Sequence, residues 1–74
     1  MMGETVVGGR DLALNGRRIA TQSVTLAELL AEQGFGGAKV ATAINGEFVA
    51  ERLRAKTALQ PGDRVEVVSV RQGG

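Results

Sequence analysis

The sequence predicts an α+β domain in which a mixed sheet of about five short strands carries one main helix across one face. Three observations lead there. One segment combines a helical apolar period with a start signal and a stop signal. Two Asn-Gly pairs, at 15–16 and 45–46, each separate short β-compatible runs. An apolar run follows a Pro-Gly turn near the end of the chain.

The elements follow in order. Residues 1–10 (MMGETVVGGR) have the composition of an N-terminal arm that is partly disordered. The organised body spans 11–70. Leu12 and Leu14 alternate with Asp11 and Ala13, and Arg17 to Ala20 carries Ile19. Between them, Asn15-Gly16 signals a hairpin, because both central positions of a type I′ turn require positive φ. Next comes a capping box, Thr25-x-x-Glu28. The threonine hydroxyl accepts from the Glu28 amide, and the Glu28 carboxylate reaches back to the cap amide. Leu26, Leu29 and Leu30 then share one face of a helix over about Leu26 to Gln33. Gly34 fits the left-handed position after the helix, with Phe35 touching Leu30.

Beyond Gly36-Gly37, Val40 to Ile44 reads as a strand, and Asn45-Gly46 turns it into Glu47-Phe48-Val49. Residues 50–58 are polar apart from Leu53 and its neighbouring alanines, a surface crossover with room for a helical turn. Gln60-Pro61-Gly62-Asp63 is a type II turn, with proline presetting one φ and glycine supplying the positive one. The last strand runs from Arg64 to Val70. Two hairpins and a closing strand around one helix form the plan of a β-grasp.

Composition narrows the chemistry. A chain of 74 residues holds one small core. It has no Cys and no His, so thiolate metal sites, a thiol nucleophile and the usual neutral-pH base are missing. Only Phe35 and Phe48 are aromatic, which leaves no platform for stacking bases. Nine basic and eight acidic residues give a net charge of +1, too balanced for a nucleic-acid binder. No apolar stretch approaches a membrane span, and the first residues lack the core of a signal peptide. The expectations are a cytoplasmic protein that binds no metal, cofactor, membrane or nucleic acid and is no enzyme by itself.

Several constellations carry bland readings. The segment from Gly34 to Lys39 lacks phosphate-loop spacing and follows a helix instead of opening one. Arg52, Arg54 and Lys56 read as a solvated loop, as do Arg17 and Arg18. Glu47, Glu51 and Asp63 form no pair suited to acid–base work.

Two features remain. Alternation in the last strand sends Val65 and Val67 to one side and Glu66, Val68 and Val70 to the other. A face without a helix should be polar, so Val68 and Val70, with Phe48 of the second hairpin, are candidate docking residues. Strand twist, or cover from residues 1–9, explains the same pattern without a partner. The second feature is the tail, Arg71-Gln72-Gly73-Gly74. A Gly-Gly end without side chains passes down a channel closed to other residues. Four extended residues reach about 13 Å past Val70, far enough to place a terminal carboxylate in another protein's active site.

Taken together, Leu14-Asn-Gly, Thr25-Leu-Ala-Glu-Leu-Leu30 with Gly34, Ile44-Asn-Gly-Glu-Phe-Val49, Leu59-Gln-Pro-Gly-Asp-Arg-Val-Glu-Val-Val68 and the closing Gly73-Gly74 resemble the ThiS family. These are the small, ubiquitin-like β-grasp sulfur carriers of thiamine biosynthesis. The likeness covers about residues 11–74. The chain departs from it in the extra residues 1–10 and in Ala50, where the family often has proline. The resemblance implies that an adenylating, E1-like enzyme spends ATP to join Gly74 to AMP. A cysteine-persulfide donor then leaves a thiocarboxylate on Gly74, and a thiazole synthase takes up that sulfur. Gly73, Gln72 and Arg71 would be needed for entry into the channel. The small subunit of molybdopterin synthase shares fold and tail, but commonly has Phe-Pro-Pro where this chain has Val68-Ser69-Val70. A ubiquitin-like modifier and a plain interaction domain are the further alternatives.

Overall fold

The computed structural model describes residues 9–70. Five strands, β1 (Arg10–Leu14), β2 (Arg17–Thr21), β3 (Val40–Ile44), β4 (Glu47–Val49) and β5 (Arg64–Ser69), accompany helix α1 (Leu26–Glu32) and a 3₁₀ helix, Glu51–Lys56. They form one sheet in the order β2-β1-β5-β3-β4, with β1 and β5 parallel and all other pairs antiparallel. The closing strand therefore lies between the two hairpins. This is the mixed β-grasp sheet expected from the sequence. β1 begins at Arg10, one residue before the body was drawn to start.

Both Asn-Gly pairs make the turns that their composition demands. Asn15 and Asn45 have φ of 52° and 53°, followed by Gly16 at 83° and Gly46 at 87°. Two successive positive values fit the right-handed twist of the flanking strands. At the third turn Gly62 has φ of 87°, and the Asp63 amide closes it on the Gln60 carbonyl at 3.1 Å.

Helix α1 follows its signals with one difference. The Glu28 amide donates to Thr25 Oγ1 at 3.2 Å, but the Glu28 carboxylate accepts from the Val24 amide at 2.7 Å, not from that of Thr25. Thr25 is extended and bridges Ala58, and successive amides of an extended chain point in opposite directions, so Val24 faces the carboxylate. The helix ends one residue earlier than its period suggested, with Gln33 as the cap. Phe35 N donates to Leu30 O at 2.7 Å and Gly34 N to Ala31 O at 3.2 Å, which completes a Schellman ending.

Leu26, Leu29 and Leu30 of α1 meet Leu12, Val40, Leu59, Val65 and Val67 in one buried core. Burying a leucine contributes about 1.5–3 kcal/mol, so these eight side chains dominate the stability of so small a domain. Thr42 is also inside, where its hydroxyl donates to Val49 O at 2.8 Å and accepts from Arg54 Nε at 3.1 Å. Arg54 Nη2 donates to Val40 O at 2.7 Å. The reading of Arg54 as part of a solvated loop is thus corrected. β4 ends at Val49, and the guanidinium from the 3₁₀ helix supplies the donor that a longer β4 would have offered to β3.

Candidate functional site

The face of the sheet opposite α1 is uncovered among the described residues. On β5 it presents Arg64, Glu66 and Val68, the exposed alternates of buried Val65 and Val67. Across the ladder Val68 pairs with Ala41, and Glu66 pairs with Ala43, which in turn pairs with Phe48 of β4. Two alanines at the middle of the row leave a floor between taller neighbours. The result is an open concavity of about 510 Å³ bordered by Asn15, Ala41, Ala43, Phe48, Glu66 and Val68. Phe48 is 72 % exposed and Val68 61 %, high values for side chains that gain most from leaving water. Of the three candidate docking residues, the structure brings Phe48 and Val68 together here. Val70, 47 % exposed, borders a neighbouring hollow with Lys39, Glu51 and Arg54.

The root of the tail is well defined. Pairs 39/70, 41/68, 43/66 and 45/64 are the hydrogen-bonded rungs of the β3–β5 ladder. Its ends are Val70 N donating to Lys39 O at 3.1 Å and Asn45 N donating to Arg64 O at 2.7 Å. The last described residue, Val70, is therefore still bonded to the sheet, two positions beyond Val68 at the concavity. Arg71, Gln72, Gly73 and Gly74 lie outside the described residues, as do residues 1–8 of the proposed arm.

Three side chains that sequence reasoning placed in turns, Asp63 having also been weighed and set aside for acid–base work, hold the start and the middle of β5 in place. Asn15 Nδ2 donates to Val67 O at 3.1 Å, and its Oδ1 accepts from Val67 N at 2.8 Å. Asn45 Oδ1 accepts from Arg64 N at 2.9 Å, while its Nδ2 donates to Asp63 Oδ1 at 2.9 Å. Asp63 is buried and its Oδ2 accepts from Gln60 N at 2.8 Å. The repeated Asn-Gly pair was the available signal. It announced the turns, whereas the second use of each asparagine depends on where β5 lies. Away from this site, Glu32 accepts from the hydroxyls of Thr21 and Ser23, which hold its carboxyl below the ordinary value of 4.5.

A five-stranded β-grasp sheet with one helix on one face, and the other face uncovered among the described residues, defines the class of small ubiquitin-like domains. The comparisons with known proteins narrow that class. The model of the ThiS family matches residues 10–74, so the chain belongs to the ThiS family. Among solved structures it is similar to the thiamine biosynthesis protein (ThiS) from Geobacter metallireducens. The two share 26 % identity and a TM-score of 0.75, over 86 % of this chain and 99 % of that one. No match was found among the curated proteins. No helix among the described residues is long and apolar enough to cross a membrane.

Proposed function

We propose that the protein is a sulfur carrier of thiamine biosynthesis, a co-substrate on which partner enzymes act. The observation that carries this reading is the extent of the family match, which runs from β1 through Gly73-Gly74. A similar fold in a thiamine biosynthesis protein supports it.

In this reading the reacting group is the carboxylate of Gly74. Charge and resonance make a carboxylate a poor electrophile. An adenylating enzyme transfers AMP from ATP to it and releases pyrophosphate, which leaves an acyl adenylate with a good leaving group. The terminal sulfur of a persulfide on a partner cysteine attacks the acyl carbon and expels AMP. A second thiol of the donor cleaves the resulting acyl disulfide, so the donor is oxidised to a disulfide and Gly74 keeps a thiocarboxylate. That sulfur is soft and nucleophilic, suited to delivery into a thiazole. No side chain of the carrier takes part, in keeping with a sequence that lacks His and Cys. Phe48 and Val68 serve as the docking patch, Val70 as the root of the tail, and Arg71, Gln72 and Gly73 as the stalk within the partner's channel.

The test is pyrophosphate release from ATP by the adenylating enzyme of the same organism. Release should depend on the full chain and vanish for protein truncated after Val70. Release that is indifferent to residues 71–74 would overturn the proposal.

A further inference from the structure

We propose that Asn15 is a positioning residue for the reactive terminus: its side chain replaces the missing end of β1 and aims the last residues of β5 into the tail. The proposal rests on the carrier reading above and goes beyond it to an internal residue. β1 pairs with β5 only through Ala13 with Arg64 and Leu14 with Val65, and then the chain turns away at Asn15-Gly16. β5 continues to Ser69 with β3 on one side only. In the β3–β5 ladder the bonded rungs fall at Arg64, Glu66, Val68 and Val70, so the backbone groups of Val65, Val67 and Ser69 point to the opposite edge. There Asn15 N donates to Val65 O at 2.8 Å, and the Asn15 side-chain amide takes both backbone groups of Val67. The edge of a primary amide sets one N–H beside its carbonyl oxygen, as a single strand residue sets its own N–H and C=O on one side, so the ladder extends one rung past the end of β1.

The rung sits three residues before Val70, the last described residue of the chain. A strand held on both edges has a fixed direction, whereas one held on a single edge twists and splays. Asn15 also borders the outer concavity with Phe48 and Val68, so the same residue links the docking patch to the exit line of the tail. Bound at that patch, the carrier must deliver Gly74 to a fixed point through a short stalk. An error in direction at Val67 grows along each residue of it.

Asn45 provides a matched control. It occupies the same turn position at nearly the same φ and makes the same number of side-chain bonds, but to Asp63 and Arg64 at the start of β5. Glycine preserves either turn, so Asn15→Gly and Asn45→Gly should both fold. In Asn15→Gly, amide exchange at Val67 and Val70 should quicken about tenfold while the amides of α1 and of the other core residues keep their protection. The kcat for pyrophosphate release by the adenylating enzyme should fall about tenfold with KM within about twofold, because misdirection costs the reacting geometry while the apolar docking residues Phe48 and Val68 are kept and only the rim at Asn15 changes. Asn45→Gly should keep its kcat. Equal loss of kcat in both variants, a rise in KM alone, or unchanged exchange at Val70 in Asn15→Gly would each overturn the inference. If the wild-type protein supports no pyrophosphate release, the carrier reading fails, and the exchange arm still decides whether Asn15 governs the end of β5.

Discussion

Replacing Asp63 by asparagine probes the joint from which β5 starts. The carboxylate is buried, and each of its oxygens faces a donor: Asn45 Nδ2 at 2.9 Å and Gln60 N at 2.8 Å. In Asp63→Asn one oxygen becomes an NH₂ group, so in either orientation a donor meets a donor. Asn45 has no free way to adapt, since rotating its amide would forfeit the bond from Arg64 N. One buried donor left unmade costs about 1–3 kcal/mol, and the surviving bond weakens from charged to neutral. The expected loss is about 2–3 kcal/mol, out of a total that for a domain of this size is only about 4–10 kcal/mol. Each kcal/mol moves Tm by about 4–8 °C in a domain of this length, so the melting temperature should fall by about 10–20 °C. Urea unfolding of wild type, Asp63→Asn, Asn45→Gly and the double variant completes the assay. The double variant should lose less than the sum of the singles by about 1 kcal/mol, because the two changes break a shared bond. A Tm within about 3 °C of wild type for Asp63→Asn, or strict additivity in the cycle, would refute the reasoning.

Three further outcomes are expected. Thr42→Val keeps the volume but strips a donor from Val49 O and an acceptor from Arg54 Nε, so it should cost about 1–2 kcal/mol in urea unfolding; no loss would mean that neither bond matters. Glu32 has a lowered folded-state pKa, chiefly through the Thr21 hydroxyl and then Ser23, so its contribution is full above 4.5 and disappears as pH falls through the lower folded value. The stability gap between wild type and Glu32→Gln should therefore hold from neutral pH down to that range and close below it, and a gap that widens on acidification would contradict the assignment. Adding one residue after Gly74 should leave Tm unchanged and abolish pyrophosphate release, and a fully active extended protein would argue against a channel that admits only the carboxylate.

Local signals with a specific backbone requirement were legible in the sequence. Asn-Gly demanded two positive φ values and received them, and the capping box and Gly34 set both ends of α1 within a residue. Alternation in β5 separated Val65 and Val67 from Val68 correctly, because a two-residue period survives any tertiary arrangement. The partners of long polar side chains were not legible. Arg54 looked like one of three solvated cations, but the short β4 leaves Val40 O without a strand partner, and only the three-dimensional register reveals that vacancy. Asn15, Asn45 and Asp63 were hidden for the same reason: Asn15 holds Val67, 52 positions away, Asn45 holds Asp63 and Arg64, 18 and 19 positions away, and no period in the sequence connects them. At the candidate site, Phe48 and Val68 were recognised as exposed apolar residues, whereas their common concavity depends on Ala41 and Ala43, which carried no signal of their own.

The central claim concerns one chemical group, and mass spectrometry of the protein isolated from its own cells under mild conditions that spare a thioacid tests it most directly. The account predicts a fraction of molecules ending at Gly74 and heavier by the substitution of sulfur for oxygen, with the change confined to the fragment containing Gly73-Gly74 and erased by hydrolysis, which releases sulfide and restores the carboxylate. A population whose chains continue past Gly74, or one in which that terminal fragment carries only an ordinary carboxylate while thiamine is being made, would contradict it.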